Sequence, residues 1–299
     1  LDSTAASDCE RILDKKEIYQ IDHPNIPINL TDYNLTIKTY SEQMNPDGCF
    51  RVLERILKRM ISDDIKKPVN LVQLTSCFNA VMNSYYRASH KDASSKIQEI
   101  FNLMESSTAA KPDKYTYALL MNAHAQSRSK DSFKIVDDLL ERILQESKDG
   151  KRNVRPTIIV FNLLFKACEL SPTRQNSDEN PVTTAFDRFA LIQDANKWNI
   201  KLNHHTYSHM FAICRNHVQD VDKKDELVRL LFQKTCHDGQ LSELALTLCK
   251  DSMSTKKFAN VVASIVGERV DPHNVNIHDF PQSCKCNVLP PKHVSPRRY

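Results

Sequence analysis

The chain has 299 residues, 40% of them hydrophobic and 26% charged, and its 41 Lys and Arg against 37 Asp and Glu give a formal net charge of +4. That balance excludes a wholly disordered chain, and the small positive excess permits a polyanionic partner without requiring one. Only 4 glycines are present, where ordinary usage would give roughly 20, which argues against phosphate-cradling loops, dinucleotide-binding domains and all-β folds and favours helices.

The chain starts at Leu1, and Ala5 to Asp14 already carry a helical pattern. Residues 1–28 are therefore expected to be the second helix of a truncated preceding repeat, in a piece of a longer protein whose targeting segment lies elsewhere. Asn29-Leu30-Thr31 and Asn34-Leu35-Thr36 match the glycosylation acceptor, but no other feature points to secretion.

Five triplets then recur: Asp32-Tyr33-Asn34, Cys77-Phe78-Asn79, Thr116-Tyr117-Ala118, Val160-Phe161-Asn162 and Thr206-Tyr207-Ser208. Their third members are 45, 39, 44 and 46 residues apart. After each comes an apolar or β-branched pair, from Thr36/Ile37 to Met210/Phe211, and then Thr39, Ser84, Ala123, Ala167 or Ile213, small in four of five cases. An aromatic, an apolar pair three and four residues on, and a small residue make one buried helical stripe.

A second amphipathic stretch follows each first one, as in Phe50, Leu53, Ile56, Leu57 and Met60, or Phe186, Phe189 and Ile192, or Leu227, Leu230 and Leu231. Polar or Pro-bearing links such as Lys111-Pro112-Asp113, Arg155-Pro156-Thr157 and Lys201-Leu202-Asn203 separate the units, halting one helix and capping the next. The repeats are expected at about 29–73, 74–112, 113–156, 157–202 and 203–240. Their excess length falls in loops between residues 147 and 153 and between 171 and 181, where insertions cost little. C-terminal helices are expected over 236–270, namely Leu241 to Ser252 and Thr255 to Arg269. An extended or disordered tail is expected over 271–299, where Pro281, Pro290, Pro291 and Pro296 fall.

Nine cysteines, several inside apolar helical runs, point to reduced thiols and not to a disulfide framework. No apolar run reaches the 18 residues that a membrane span needs. His205 and His209 have metal-compatible spacing but no third ligand, and Cys284 and Cys286, with His278 and His293, form only a loose cluster, so no metal is expected. A nuclease needs converging carboxylates and a deaminase needs His-x-Glu with Cys-x-x-Cys; residues 236–299 hold neither, so no catalytic residue and no cofactor is expected.

Lys111 to Ala123 and Val154 to Phe165 resemble the start of a pentatricopeptide repeat, and the likeness extends over about residues 5–235. The tetratricopeptide repeat is the nearest rival, but its first-helix Trp and Gly are missing. The resemblance implies an all-α fold, an α-solenoid or superhelix of stacked helix-turn-helix units, that binds single-stranded RNA at about one base per repeat.

The resemblance also assigns residues. It makes Asn34, Asn79, Ala118, Asn162 and Ser208 base readers, together with the closing residues Leu74, Asp113, Thr157 and Asn203. It makes Thr31, Ser76, Tyr115, Ile159 and His205 the side chains that sandwich bases. Asn79 with Asp113 is the family's pair for uracil, and Asn162 with Asn203 its pair for a pyrimidine, more often cytosine. Phosphate contacts are expected from Lys111, Lys114, Lys151, Arg152, Arg155 and Lys201. Family habit implies a mitochondrial or plastid setting, RNA processing, stability or translation, and other RNA-processing proteins as further partners, with no small-molecule substrate. A protein-binding scaffold and the RNA-targeting arm of a larger RNA-cleaving enzyme remain alternatives.

Overall fold

The computed structural model describes residues 4–23, 29–61, 71–107, 109–151, 153–172, 180–194, 198–267, 271 and 274–288. Among these there are thirteen α-helices, two short 3₁₀ turns and no strand. No described helix is long and apolar enough to cross a membrane. The chain divides into two compact units, Leu1–Ser127 with Glu141–Arg155, and Arg128–Leu140 with Pro156–Tyr299.

The first unit holds α1 (Ala5–Asp22), α2 (Leu30–Glu42), α3 (Pro46–Ile61), α4 (Leu71–Arg87), α5 (Ala93–Ser106) and α6 (Lys114–Ser127). Helix α7 (Ser132–Lys148) belongs in part to each unit. The second unit holds α8 (Ile158–Leu170), α9 (Pro181–Asp194), α10 (His204–His217), α11 (Val221–His237), α12 (Glu243–Ser252) and α13 (Thr255–Val266), then 3₁₀ turns at Ile277–Asp279 and Gln282–Cys284.

Each unit is built from helical hairpins. In the first, α2 packs on α3 and α4 on α5, while α2, α4 and α6 pack in sequence on one another. In the second, α8 pairs with α9, α10 with α11 and α12 with α13, while α8, α10 and α12 are the successive neighbours. The first helices are thus covered on several sides, and the aromatics Tyr33, Phe78, Tyr117, Phe161 and Tyr207 are all fully buried. Ser84, Ala123 and Ala167 are buried as well, and their small size lets adjacent helix backbones approach.

Two of the rings that begin these stripes meet an aromatic of the second helix before them. Tyr117 lies 5.7 Å from Phe101 of α5, and Tyr207 lies 5.9 Å from Phe189 of α9 in an edge-on arrangement. Such pairs add to the area each ring buries. On α11 the buried stripe is Val228, Leu231 and Phe232, and Leu230, expected on that face, is 49% exposed. The three- and four-residue steps from Asp225 through Val228 and Phe232 to Cys236 set that face one position away from the expected one.

Helix α1 is tied to α3 by charge. Arg55 reaches Glu10, Asp14 and Glu17 at 3.2, 2.6 and 2.8 Å. Arg51 holds Glu10 at 2.9 Å, and Tyr40 of α2 donates its hydroxyl to the same carboxylate. The hydrogen bond from Arg51, helped by Tyr40 and against some desolvation, keeps the Glu10 carboxyl below its ordinary range. Cys77 and Cys214 sit in the core, where burial pushes each thiol up to about 12, as expected of cysteines that serve as small apolar side chains.

Residues 274–288, within the stretch expected to be an extended tail, instead pack back on α11. Leu241 N–H donates to Cys284 O at 2.8 Å, Asn287 N–H to Gly239 O at 2.9 Å, and Phe280 lies edge-on to Phe232 at 5.8 Å. Gly239 has φ +67°, and a Cβ there would stand 2.7 Å from Cys286 Sγ. The rest of the expected tail, including Pro290, Pro291 and Pro296, lies outside the described residues.

Two outcomes follow from the packing. Phe161→Ala is expected to cost about 3–5 kcal/mol in urea unfolding, and a loss under about 1 kcal/mol would remove the ring from its structural role. Because the Glu10 carboxyl is held low, its contribution is present above the unfolded glutamate value and lost as pH falls through the folded value. The stability gap between the native chain and Glu10→Gln is therefore expected to shrink between about pH 7 and about pH 3; a constant gap would contradict the pairing.

Candidate nucleic-acid interface

Two of the four expected reader pairs, Asn79 with Asp113 and Asn162 with Asn203, meet at helix starts. Asp113 caps α6, its Oδ1 accepting from the backbone N–H of Tyr115 and of Thr116 at 2.9 Å each. In return the Thr116 hydroxyl oxygen accepts from the Asp113 N–H at 3.1 Å. The Asn79 amide, from the preceding first helix, donates to Asp113 Oδ1 at 3.2 Å, and its oxygen accepts from the Thr116 hydroxyl at 2.7 Å.

The second unit repeats this arrangement. Asn203 caps α10, accepting from Thr206 N–H at 3.1 Å, and Thr206 Oγ1 accepts from Asn203 N–H at 3.3 Å. Asn162 Nδ2 donates to Asn203 Oδ1 at 3.1 Å, and the Thr206 hydroxyl donates to Asn162 Oδ1 at 2.8 Å. Each triad fixes an Asn amide by one donor and one acceptor and leaves it one of each. The triads differ in one atom. Asp113 carries a second carboxylate oxygen, an acceptor, where Asn203 carries an amide nitrogen, a donor.

The other expected readers are placed differently. Asn34, Ala118 and Thr157 are half-buried, and Thr157 precedes α8 without a side-chain cap bond. Ser208 is 5% exposed and returns its hydroxyl to His204 O at 2.9 Å. The assignment of Leu74 as a reader is corrected: α4 begins at Leu71, so Leu74 lies inside its first turn and is fully buried, with no polar atom to offer a base.

All five expected sandwiching residues, Thr31, Ser76, Tyr115, Ile159 and His205, are exposed. Tyr115 and Ile159 are 63% and 60% exposed, so packing does not account for their apolar surface. The Lys114 ammonium lies 5.2 Å from the Tyr115 ring centre. Thr31 is engaged locally with the Asn29 cap at 3.1 Å.

Of the expected phosphate contacts, Lys111, Lys114, Arg155 and Lys201 are exposed and pair with no carboxylate among the described residues. Lys151 is paired with Glu146 at 3.1 Å, and Arg152 lies outside the described residues. His209 is held by Glu169 at 2.6 Å, which turns its Nδ1 to a carboxylate. Burial lowers the His204 pKa, with a smaller push from His205. No group of three or more His, Cys, Asp or Glu suited to a metal ion occurs among the described residues.

One unit escaped the sequence pattern. Ser242 caps α12, accepting from Ala245 N–H at 3.2 Å. Leu244, two residues on, is 57% exposed like Tyr115 and Ile159, and Leu246 stands where the other first helices carry an aromatic. The signal that would have found it is the serine cap 39 residues after Asn203.

No protein-family model matches this chain, and no curated protein matches it.

Asp113→Ala removes a cap and the anchor of Asn79 together and is expected to lower stability by about 1–2 kcal/mol, whereas Asp113→Asn keeps the cap and costs only a few tenths. Equal losses in urea melts would show that the cap bonds contribute nothing.

Proposed function

We propose that this chain is a pentatricopeptide-type protein that binds single-stranded RNA through an α-solenoid and has no catalytic site of its own. The observation that carries the reading is the twice-built triad, Asn79–Asp113–Thr116 and Asn162–Asn203–Thr206, which fixes an amide of one first helix on the cap of the next. Two residues after each of these caps stands an exposed ring, Tyr115 or His205. An amide with one free donor and one free acceptor suits the edge of an unpaired base, and an exposed ring or branched chain suits its face.

The acceptor beside Asn79 and the donor beside Asn162 give the two units different base preferences. By the family pairing these are uracil for the first and a pyrimidine, more often cytosine, for the second. Lys111, Lys114, Arg155 and Lys201 supply phosphate contacts. The biological setting that goes with this reading is RNA processing, stability or translation in a mitochondrion or plastid, in company with other RNA-processing proteins.

The test is equilibrium binding of short single-stranded RNAs. Four phosphate contacts imply an affinity loss of about 50-fold between roughly 50 and 200 mM salt. A single uracil opposite the Asn79–Asp113 pair is expected to be preferred by about tenfold, and the double exchange Asn79→Asp with Asp113→Asn is expected to shrink that preference below about threefold. Equal affinity for all homopolymers, before and after the exchange, would defeat the base-reading claim.

A further inference from the structure

Two buried thiols meet where the segment 274–288 docks on α11, and the register that joins them can be followed turn by turn. Asn276 caps the first turn: its Oδ1 accepts from His278 N–H at 2.9 Å, and Asp279 Oδ2 accepts from Asn276 N–H at 2.9 Å. Four residues after that cap comes Phe280, 2% exposed and edge-on to Phe232 of α11. Pro281 has no N–H with which to continue the turn, and it begins the next one, Gln282–Cys284, which packs on α11. Phe232 and Cys236 are four residues apart and share the buried face of α11. Phe280 and Cys284 are likewise four apart on the segment.

With the two rings in contact, the two sulfurs meet one turn further on, and the Cys236 and Cys284 thiols are hydrogen-bonded to one another. Cys249 of α12 acts on Cys236 more weakly. The bonds from Leu241 N–H to Cys284 O and from Asn287 N–H to Gly239 O clamp the backbone beside the pair. Both thiols are buried, and burial pushes the Cys236 thiol above its usual range, with a further push from Cys284. Such a thiol is a poor nucleophile while the segment stays docked. Its two carriers differ in what holds them. Cys236 belongs to the last turn of a long helix, whereas Cys284 belongs to a short segment that can lift by local opening.

We infer that Cys236 and Cys284 form a redox-controlled latch: a low-molecular-weight disulfide oxidises the pair and fastens the segment 274–288 to α11, and a thiol reductant releases it. When the segment lifts, the Cys284 thiolate attacks one sulfur of the oxidant RSSR, forms a mixed disulfide and expels RS⁻. As the segment returns, the Cys236 thiolate attacks the Cys284 sulfur and a second RS⁻ leaves. The two thiol protons pass through water to the two RS⁻, so one oxidant is reduced to two RSH while two cysteines become one cystine. The latch stands on the docking geometry alone and is independent of what the chain binds. Cys286, exposed two residues beyond Cys284, donates its thiol to Ser283 O at 3.4 Å and is the competing partner to exclude.

The experiment uses the full chain, reduced and then equilibrated with glutathione disulfide under native conditions, trapped by alkylation and mapped by peptide mass spectrometry. A Cys236–Cys284 link is expected, and dithiothreitol is expected to undo it. Linking is expected to raise the Tm by about 5 °C and to slow amide exchange at residues 274–288 by about tenfold or more. Cys286→Ser is expected to keep the link and both shifts, and Cys236→Ala or Cys284→Ala to lose them. Phe280→Ala leaves both thiols in place but removes the ring that seats them, and is expected to lower the linked fraction several-fold at a fixed ratio of glutathione disulfide to glutathione. A link from Cys236 to Cys249 or from Cys284 to Cys286 would overturn the latch. So would glutathione taken up at Cys286 with no internal link, or a Cys236–Cys284 link that leaves exchange in the segment unchanged.

Discussion

One contact recurs at three helix starts: a ring four residues after a cap, set against a phenylalanine of the helix before it. Tyr117 on Phe101, Tyr207 on Phe189 and Phe280 on Phe232 are three instances. Because the ring sits at a fixed distance from the cap, seating it in the core also fixes the angle at which the helix start leaves the core. The exposed residue two positions after the cap and the residue five positions after it ride on the same helix start and are aimed by that seating. A shift of one residue would turn the ring out and these side chains inward.

Polar contacts then refine what the rings set. The Asn–Asp–Thr and Asn–Asn–Thr triads join a side chain of one first helix to the cap of the following one, so the order of each amide depends on the folding of its neighbour. The arginine ladder of α3 does comparable work for α1, satisfying carboxylates that would otherwise be left to solvent. Both devices are only partly buried, which keeps the cost of desolvating their charges modest.

The five first helices, α2, α4, α6, α8 and α10, were legible in the sequence because an aromatic followed by an apolar pair has a helical period that few other arrangements produce. The cap pairs around Asp113 and Asn203 were legible because proline or a polar link stands just before each. Leu74 was misread because no such link marks the start of α4, and the helix begins three residues earlier. The hairpin of α12 and α13 was read as two plain helices because Leu246 replaces the ring. The docked segment was missed because its prolines suggest an extended chain, whereas the fold uses Pro281 to stop a turn that Phe280 has already anchored. In each miss the period of the side chains was visible but its anchor was not a residue type that announces itself.

The double duty of Asp113 and Asn203 has a consequence for anyone who would rewrite the molecule. A side chain in that place must accept from the first backbone amides of a helix, a demand met well by aspartate, asparagine, serine and threonine and poorly by most others. Whatever vocabulary such positions offer to a ligand is therefore drawn from these few short polar residues. Its size is bounded by the needs of helix initiation before any partner arrives.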